Sequence, residues 1–288
     1  MFVAIRKQGS TALASFNTCL VEELTKPEGS GHDLNVAVSL EEEPLQKQIL
    51  LSHQPDSHLI LRHPSFCPIK ALAEEASSSA NAPPHPNVKA TVSVLVESGD
   101  GGVLLTRRAS HLRSFPGVWV PPGGHLDPGE TILEAGLREL AEETGLTPND
   151  CQPEHSILGL WESVYPACLA QGPPKRHSLV VYLLLRLPSS TDQLMDNLRL
   201  CQNEVDLAGW LTRAQAEAVV SGARQSNDIL RALTAKGELV EHPFERLLQR
   251  LSIDSVQEEP ANAEAVSDIE RVSTGTRFAL ERWIQFQK

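Results

Sequence analysis

Gly124-His125-Leu126-Asp127-Pro128-Gly129-Glu130-Thr131-Ile132-Leu133-Glu134-Ala135-Gly136-Leu137-Arg138-Glu139-Leu140-Ala141-Glu142-Glu143-Thr144-Gly145-Leu146 is the stretch from which the rest of the chain can be read. It predicts a helix from about Glu130 to Thr144. Pro128 suits the entering turn, Glu130 favours the positive end of the helix dipole, and Gly145 supplies the left-handed residue that stops the helix. At 100° per residue, Leu133, Leu137, Leu140 and Thr144 share one side, while Glu139, Glu142 and Glu143 fall in one arc on the other. Ala135 and Gly136, small residues one turn earlier, are expected to leave that arc accessible. Carboxylates at these spacings repel by a few tenths of a kcal/mol per pair. A solvated acidic face is the ordinary alternative, but Arg138 is the only base in the helix and cannot neutralise the three. Hard oxygen donors at this density suit Mg²⁺ or Mn²⁺.

Working outward, Val88 to Val96 and Val103 to Thr106 read as a hairpin about the Ser98–Gly102 turn. After the helix come strand candidates at Ser156–Ser163, His177–Leu187 and Leu207–Leu211, and a second helix at Arg213–Val220. Strands around one well-marked helix imply a mixed sheet between helices, an α/β class. Upstream, Asn35–Leu40 and His58–Arg62 read as short strands and Lys70–Glu75 as a short helix. The run Ser77 to Pro86 reads as a linker. The reading therefore divides the chain into a small α+β section (1–86), a central section (87–220) and a mostly helical end (221–288). In that last section, Asn227–Ala235, Pro243–Leu251 and Arg271–Phe286 are the helical pieces, with an acidic connection at Gln257–Glu270.

Composition constrains the function. With 41% hydrophobic and 22% charged residues among 288, the chain can bury a core. Its 37 acidic residues exceed the 25 basic ones, giving a net charge of −12, so a general attraction to DNA or to anionic membranes is not expected. No apolar run has the ~20 residues of a membrane-spanning helix. Cys19, Cys67, Cys151, Cys168 and Cys201 are widely spaced without a Cys-x-x-Cys pair, which suggests neither a disulfide framework nor a zinc site; reduced thiols in an intracellular compartment, the cytoplasm, are the expectation. Arg6 and Lys7 among Ser and Thr faintly resemble a mitochondrial presequence, but two bases are too few for one.

An anionic substrate needs local cations, and Arg107, Arg108 and Arg113 are the candidates. Trp161 and Tyr165 are candidates for stacking on a base, whereas Trp119 is expected to pack in the core.

The segment from Gly124 to Leu146 matches every fixed position of the Nudix box: Gly124, five residues, Glu130, seven residues, Arg138-Glu139-Leu140, Ala141, Glu142-Glu143, Thr144 and Gly145-Leu146. The resemblance implies a Nudix-type α/β/α sandwich with a mixed sheet over roughly 88–215, carrying N-terminal and C-terminal extensions, and hydrolysis of a nucleoside diphosphate linked to another moiety. It implies Glu139 and Glu143 as primary ligands of Mg²⁺ or Mn²⁺, the Gly124 carbonyl as a further ligand, and Glu142 as ligand or base. Glu130 is then structural and pairs with Arg138, and the resemblance implies a base outside the box, for which Glu204, in the loop before the strand leading to Trp210, is the candidate and an ordinary loop acid the alternative. Two substrates compete. Leu104-Leu105-Thr106-Arg107-Arg108-Ala109, Arg113 and Gly117 resemble the upstream motif of coenzyme A diphosphatases, which has Ser where Ala109 stands and Phe where Pro121 stands; a nucleotide-sugar diphosphatase belongs with this alternative. Phe66-Cys67-Pro68, Trp119 to His125, Leu158 to Ser163, Asn203-Glu204-Val205 and Arg271 to Thr276 resemble the group that includes RNA-cap hydrolases, which implies cleavage of a 7-methylguanosine cap to release 7-methyl-GDP. A non-catalytic nucleotide-binding module is the alternative of another class, disfavoured because all the box acids are present.

Overall fold

The computed structural model describes residues 1–7, 10–25, 33–43, 46–75, 86–148, 153–167, 169–223, 228–249 and 270–286. Cys151 and Cys168 lie outside these residues, as do all but the last residue of both the Ser77–Pro86 linker and the Gln257–Glu270 connection. The amino-terminal part forms β1 (Phe2–Lys7), β2 (Ser10–Leu13), α1 (Leu20–Thr25), β3 (Asp33–Glu43), β4 (Gln46–His53), β5 (Ile60–Arg62) and α2 (Pro68–Glu75). Next come β6 (Lys89–Glu97), β7 (Val103–Arg108), β8 (Val118–Val120), β9 (Gly123–His125) and α3 (Ile132–Thr144). They are followed by β10 (Glu154–Tyr165), β11 (Arg176–Arg186), α4 (Thr191–Asn197), β12 (Val205–Leu211) and α5 (Arg213–Ser221). β13 (Ile229–Thr234), β14 (Leu239–Pro243), β15 (Arg271–Val272) and α6 (Thr274–Phe286) come last.

One mixed sheet runs through all of this in the order β14-β13-β12-β7-β6-β11-β10-β5-β3-β4-β1-β2, with β9 on β6 and β15 on β8. β6 and β11 are parallel, while β10 and β11 are antiparallel. Side-chain alternation along these strands builds two cores. Val92, Val94, Val96, Val181, Leu183 and Leu185 pack with Ile132, Ala135 and Leu140 of α3. On the opposite side, Leu95, Tyr182 and Leu184 pack with Ala216 and Val219 of α5 and Phe278 and Trp283 of α6. The sheet is thus sandwiched between α3 and the α5/α6 pair, as the α/β reading requires. Among the described residues no helix is long and apolar enough to cross a membrane.

Two expectations are corrected. The Asn227–Ala235 piece is a strand rather than a helix: β13 pairs antiparallel with β12 and with β14. Its Leu and Ala content favours helix locally, but the open edge of β12 buries Leu230 and Ala232 and leaves Arg231 outside. Of the Pro243–Leu251 piece, Phe244–Leu248 forms a 3₁₀ turn. The second correction concerns α3. Ala135 and Gly136 are buried against the sheet, a Cβ on Gly136 falling 2.9 Å from Val94 Cγ2 and 3.1 Å from Leu183 Cδ2. These small residues let the helix approach the strands rather than opening a view of the acids.

Candidate active site

α3 starts later than its sequence suggested because Thr131 caps it. The Thr131 hydroxyl accepts from Glu134 N–H at 3.2 Å while the Glu134 carboxylate accepts from Thr131 N–H at 2.8 Å. At the other end Gly145 takes φ 72°, the left-handed stop. Glu130 is left before the helix, where it accepts from Asp127 N–H at 2.9 Å and from Arg138 at 2.7 and 2.9 Å. The pairing of Glu130 with Arg138 thus holds in the fold.

Arg138 does more than that pairing. Its Nη1 lies 2.9 Å from Glu139 Oε1 and 3.2 Å from Glu142 Oε2, and its Nη2 donates to the His125 carbonyl at 2.9 Å. One guanidinium therefore ties the Gly-rich entry to the acid face. The three acids differ sharply in environment: the Glu142 side chain is 56% exposed and the Glu139 side chain 12%, while Glu143 is 6% exposed overall. Burial pushes the Glu143 carboxyl up to about 8, against the opposing charge of Arg108 and the Gly123 backbone, and Glu204 and Glu139 add to the rise. Burial also raises Glu139, although Arg138 opposes it. Two desolvated carboxylates beside a third acid form an oxygen-rich, anion-strained site that a divalent cation would relieve, so the residues fit one.

Gly124 forms the junction between these acids and a cleft of about 240 Å³. β9 holds it opposite Val92 on β6, and the Glu139 carboxylate lies directly against its Cα, where any Cβ would sit 2.3 Å from Oε1. Arg108 and Arg176 line the cleft, together with Phe115, Trp161 and Tyr165. The Phe115 and Tyr165 rings meet edge to face at 4.7 Å. Trp161 is only 7% exposed and packs on Phe278 at 5.7 Å, so it serves the α6 core as well as the cleft wall.

The expected arginine cluster divides. Strand alternation on β7 sends Arg107 and Arg108 to opposite faces. Arg107 is paired with Asp206 at 2.7 Å and Glu270 at 3.2 Å, a tie to the carboxy-terminal segment, whereas Arg108 donates to the Ser114 carbonyl at 3.1 Å and faces the cleft. Arg113 is exposed on the following turn and does not line the cleft. Trp119 is fully buried and donates to Glu270 at 2.7 Å. Glu204 sits in the turn before β12, its carbonyl accepting from Ala109 N–H at 2.8 Å, and its charge acts on Arg108, Glu139 and Glu143. Arg176 was not singled out from the sequence; only the β10/β11 register, which sets it opposite Tyr165, brings it to the cleft.

Residues 88–233 match the NUDIX domain. The chain is 40% identical over 273 residues, 89% of its own length, to the m7GpppN-mRNA hydrolase NUDT17 of Danio rerio and covers 86% of that protein. To the proteins of the same name from Xenopus laevis and Homo sapiens it is 42% and 40% identical, covering 75% of each.

Proposed function

Because this chain belongs to the Nudix family, we propose that it hydrolyses the 7-methylguanosine cap of RNA at a phosphoric anhydride bond, releasing 7-methyl-GDP in a reaction that requires Mg²⁺ or Mn²⁺. The observation that carries this reading is the junction at Gly124, which lines an aromatic and cationic cleft and also lies against the Glu139 carboxylate. Glu139 and Glu143, with the Gly124 carbonyl, would hold the cation, which would supply charge withdrawal from the phosphates and a lowered pKa for the attacking water. Arg108 and Arg176 offset phosphate charge in the cleft. Phe115, Trp161 and Tyr165 offer the flat surfaces on which a nucleobase stacks. Glu204, in the turn before β12 and outside the helix, is the residue assigned to take the proton of the attacking water. Arg138 fixes the orientation of Glu139 and Glu142.

The test is a panel of capped RNA, coenzyme A, nucleotide sugars and dinucleoside polyphosphates with Mg²⁺ or Mn²⁺, run on wild type, Glu142→Gln and Glu204→Gln. Capped RNA should be the best substrate, with 7-methyl-GDP as product, and Glu204→Gln should lower kcat by about 10²–10⁴-fold. Preferred turnover of coenzyme A or a nucleotide sugar would replace the cap assignment. Nucleotide binding without turnover of any substrate would make the protein a binding module.

A further inference from the structure

The sequence spacing of the cysteines suggests no metal site, yet folding gathers three soft donors behind the cleft. Cys19 precedes α1, His63 follows β5, and Cys67 immediately precedes α2. All three are buried, and one ligand atom from each lies within 4.8 Å of the others. Among the described residues this is the one group of three His, Cys, Asp or Glu ligand atoms so close together; the box carboxylates are spread more widely. Cys19 and Cys67 are free thiols.

We propose that Cys19, His63 and Cys67 form a second, structural metal site that takes Zn²⁺, separate from the carboxylate site and selective against Mg²⁺. In a tetrahedral zinc site with Zn–S of about 2.3 Å and Zn–N or Zn–O of about 2.0–2.2 Å, neighbouring ligand atoms stand about 3.4–3.8 Å apart, so the three atoms, all within 4.8 Å of one another, need only a small closing movement to reach it. Two thiolates and a neutral imidazole balance the dication, so the filled site is uncharged, as its burial demands. Binding replaces both thiol protons, which leave to solvent. The Cys19 thiol donates to Glu162 Oε2 at 3.3 Å. Once the thiol proton has gone, that oxygen is released from the hydrogen bond, and the fourth corner is left to a neutral water, which keeps the filled site uncharged. Glu162 is itself held in place by His177 Nε2 at 2.9 Å and Leu20 N–H at 2.7 Å. Sulfur and nitrogen donors favour zinc, whereas the all-oxygen set on α3 favours a hard cation, so the two sites sort their metals by donor type.

The site has a task in this fold. Pro64 and Pro68, each next to a proposed ligand, line the cleft, and Glu162 neighbours Trp161. A metal at this position ties Cys19, ahead of α1, to the segment from His63 to Cys67 on the amino-terminal wall of the cleft.

The full-length protein, expressed in zinc-supplemented medium and purified without chelator, is analysed for metal by mass spectrometry and then exchanged into Co²⁺. The expected result is one zinc per chain that survives dialysis against Mg²⁺, with intense thiolate-to-cobalt charge-transfer absorption after exchange. Cys67→Ser and His63→Ala should each lose the zinc at least tenfold, while Cys201→Ser and Glu143→Gln keep it. The cobalt spectrum of wild type needs no variant to fold. Zinc below a tenth of an equivalent, a cobalt spectrum without thiolate bands, or a Cys19–Cys67 disulfide in the isolated protein would each overturn the site. Any folded variant lacking zinc should show a raised KM with kcat nearly unchanged. That last arm rests on the hydrolase reading, whereas metal content and spectrum do not, so failure of one is distinguishable from failure of the other.

Discussion

Gly124→Ala separates the carboxylate site from the fold that carries it. An added Cβ would lie 2.3 Å from Glu139 Oε1, 2.5 Å from Cδ and 2.6 Å from Oε2, against an ordinary contact of 3.4 Å or more. The clash is with the end of a flexible side chain, and Gly124 has no left-handed φ, so the backbone tolerates alanine while the carboxylate must swing aside by about 1 Å. Stability should change by less than about 1 kcal/mol. A 1 Å misplacement of a catalytic constellation costs on the order of 10²-fold in rate, or about 2.7 kcal/mol of barrier. The neighbouring glycine is the control. A Cβ on Gly123 would sit 2.2 Å from the Val92 carbonyl and 2.7 Å from Ser93 Cα, both rigid backbone, so Gly123→Ala should lose β9–β6 pairing and lower Tm together with activity. Measuring kcat on capped RNA against Mg²⁺ concentration, alongside thermal unfolding, distinguishes the two variants. If Gly124→Ala kept kcat within threefold of wild type at the same Mg²⁺ midpoint, Glu139 could not be the carboxylate on which metal binding depends.

Other outcomes follow from the same geometry. Gly136→Ala should destabilise by about 1–2 kcal/mol in urea titrations despite alanine's ~1 kcal/mol helix advantage, because its methyl would overpack Val94 and Leu183; a gain in stability would contradict the close helix–sheet approach. Arg176→Ala should raise KM about tenfold with kcat within threefold, since the residue lines the cleft at its exposed edge; an unchanged KM would remove it from substrate binding. Burial works to raise the Glu270 carboxyl, but His242, Trp119 and Arg107 outweigh it and hold the group at about 2, below its ordinary 4.5. A depressed carboxylate adds stability that is complete above the unfolded value and disappears as pH falls through the folded one. The Tm advantage of wild type over Glu270→Gln should therefore be full above about pH 4.5 and shrink toward pH 2; an advantage unchanged across that window would refute the account.

What the sequence discloses depends on how far each signal travels along the chain. α3 is legible because its periodicity, capping and stop lie within one continuous segment, and Thr131 with Glu134 would have placed its start correctly had the capping box been read. β6, β7, β10, β11 and β12 are legible from alternation and apolar runs. β1 and β4 are missed: each is a short segment whose strand character comes from its neighbours in the sheet, β4 lying between β3, antiparallel, and β1, parallel. The box acids are specified locally, whereas the cationic side of the cleft is assembled by register, which brings Arg176 into use and turns Arg107 away. The Cys19, His63 and Cys67 cluster is the extreme case, since its three residues converge only when α1, β5 and α2 are packed against β10.

Net charge misleads for the same reason of scale. Fields from exposed charges fade over a Debye length of about 8 Å at physiological ionic strength, so a phosphate entering the cleft responds to the groups within a few ångströms. Some of the acidic excess, at Glu258, Glu259, Glu264 and Asp268, belongs to the sequence between Phe244–Leu248 and β15. The cleft itself presents Arg108 and Arg176, and the charges of Lys89 and the Met1 amine reach His125 on its wall. Burial and the charges of Lys89 and Arg176 hold His125 below its ordinary value, the response of an imidazole in a positive field. A chain of net charge −12 can therefore keep an electropositive entrance. On the function proposed above, the half-screened acids Glu139 and Glu143 are the groups within that range that would repel a phosphate, so a divalent cation has to offset them before a polyphosphate can be held against Gly124.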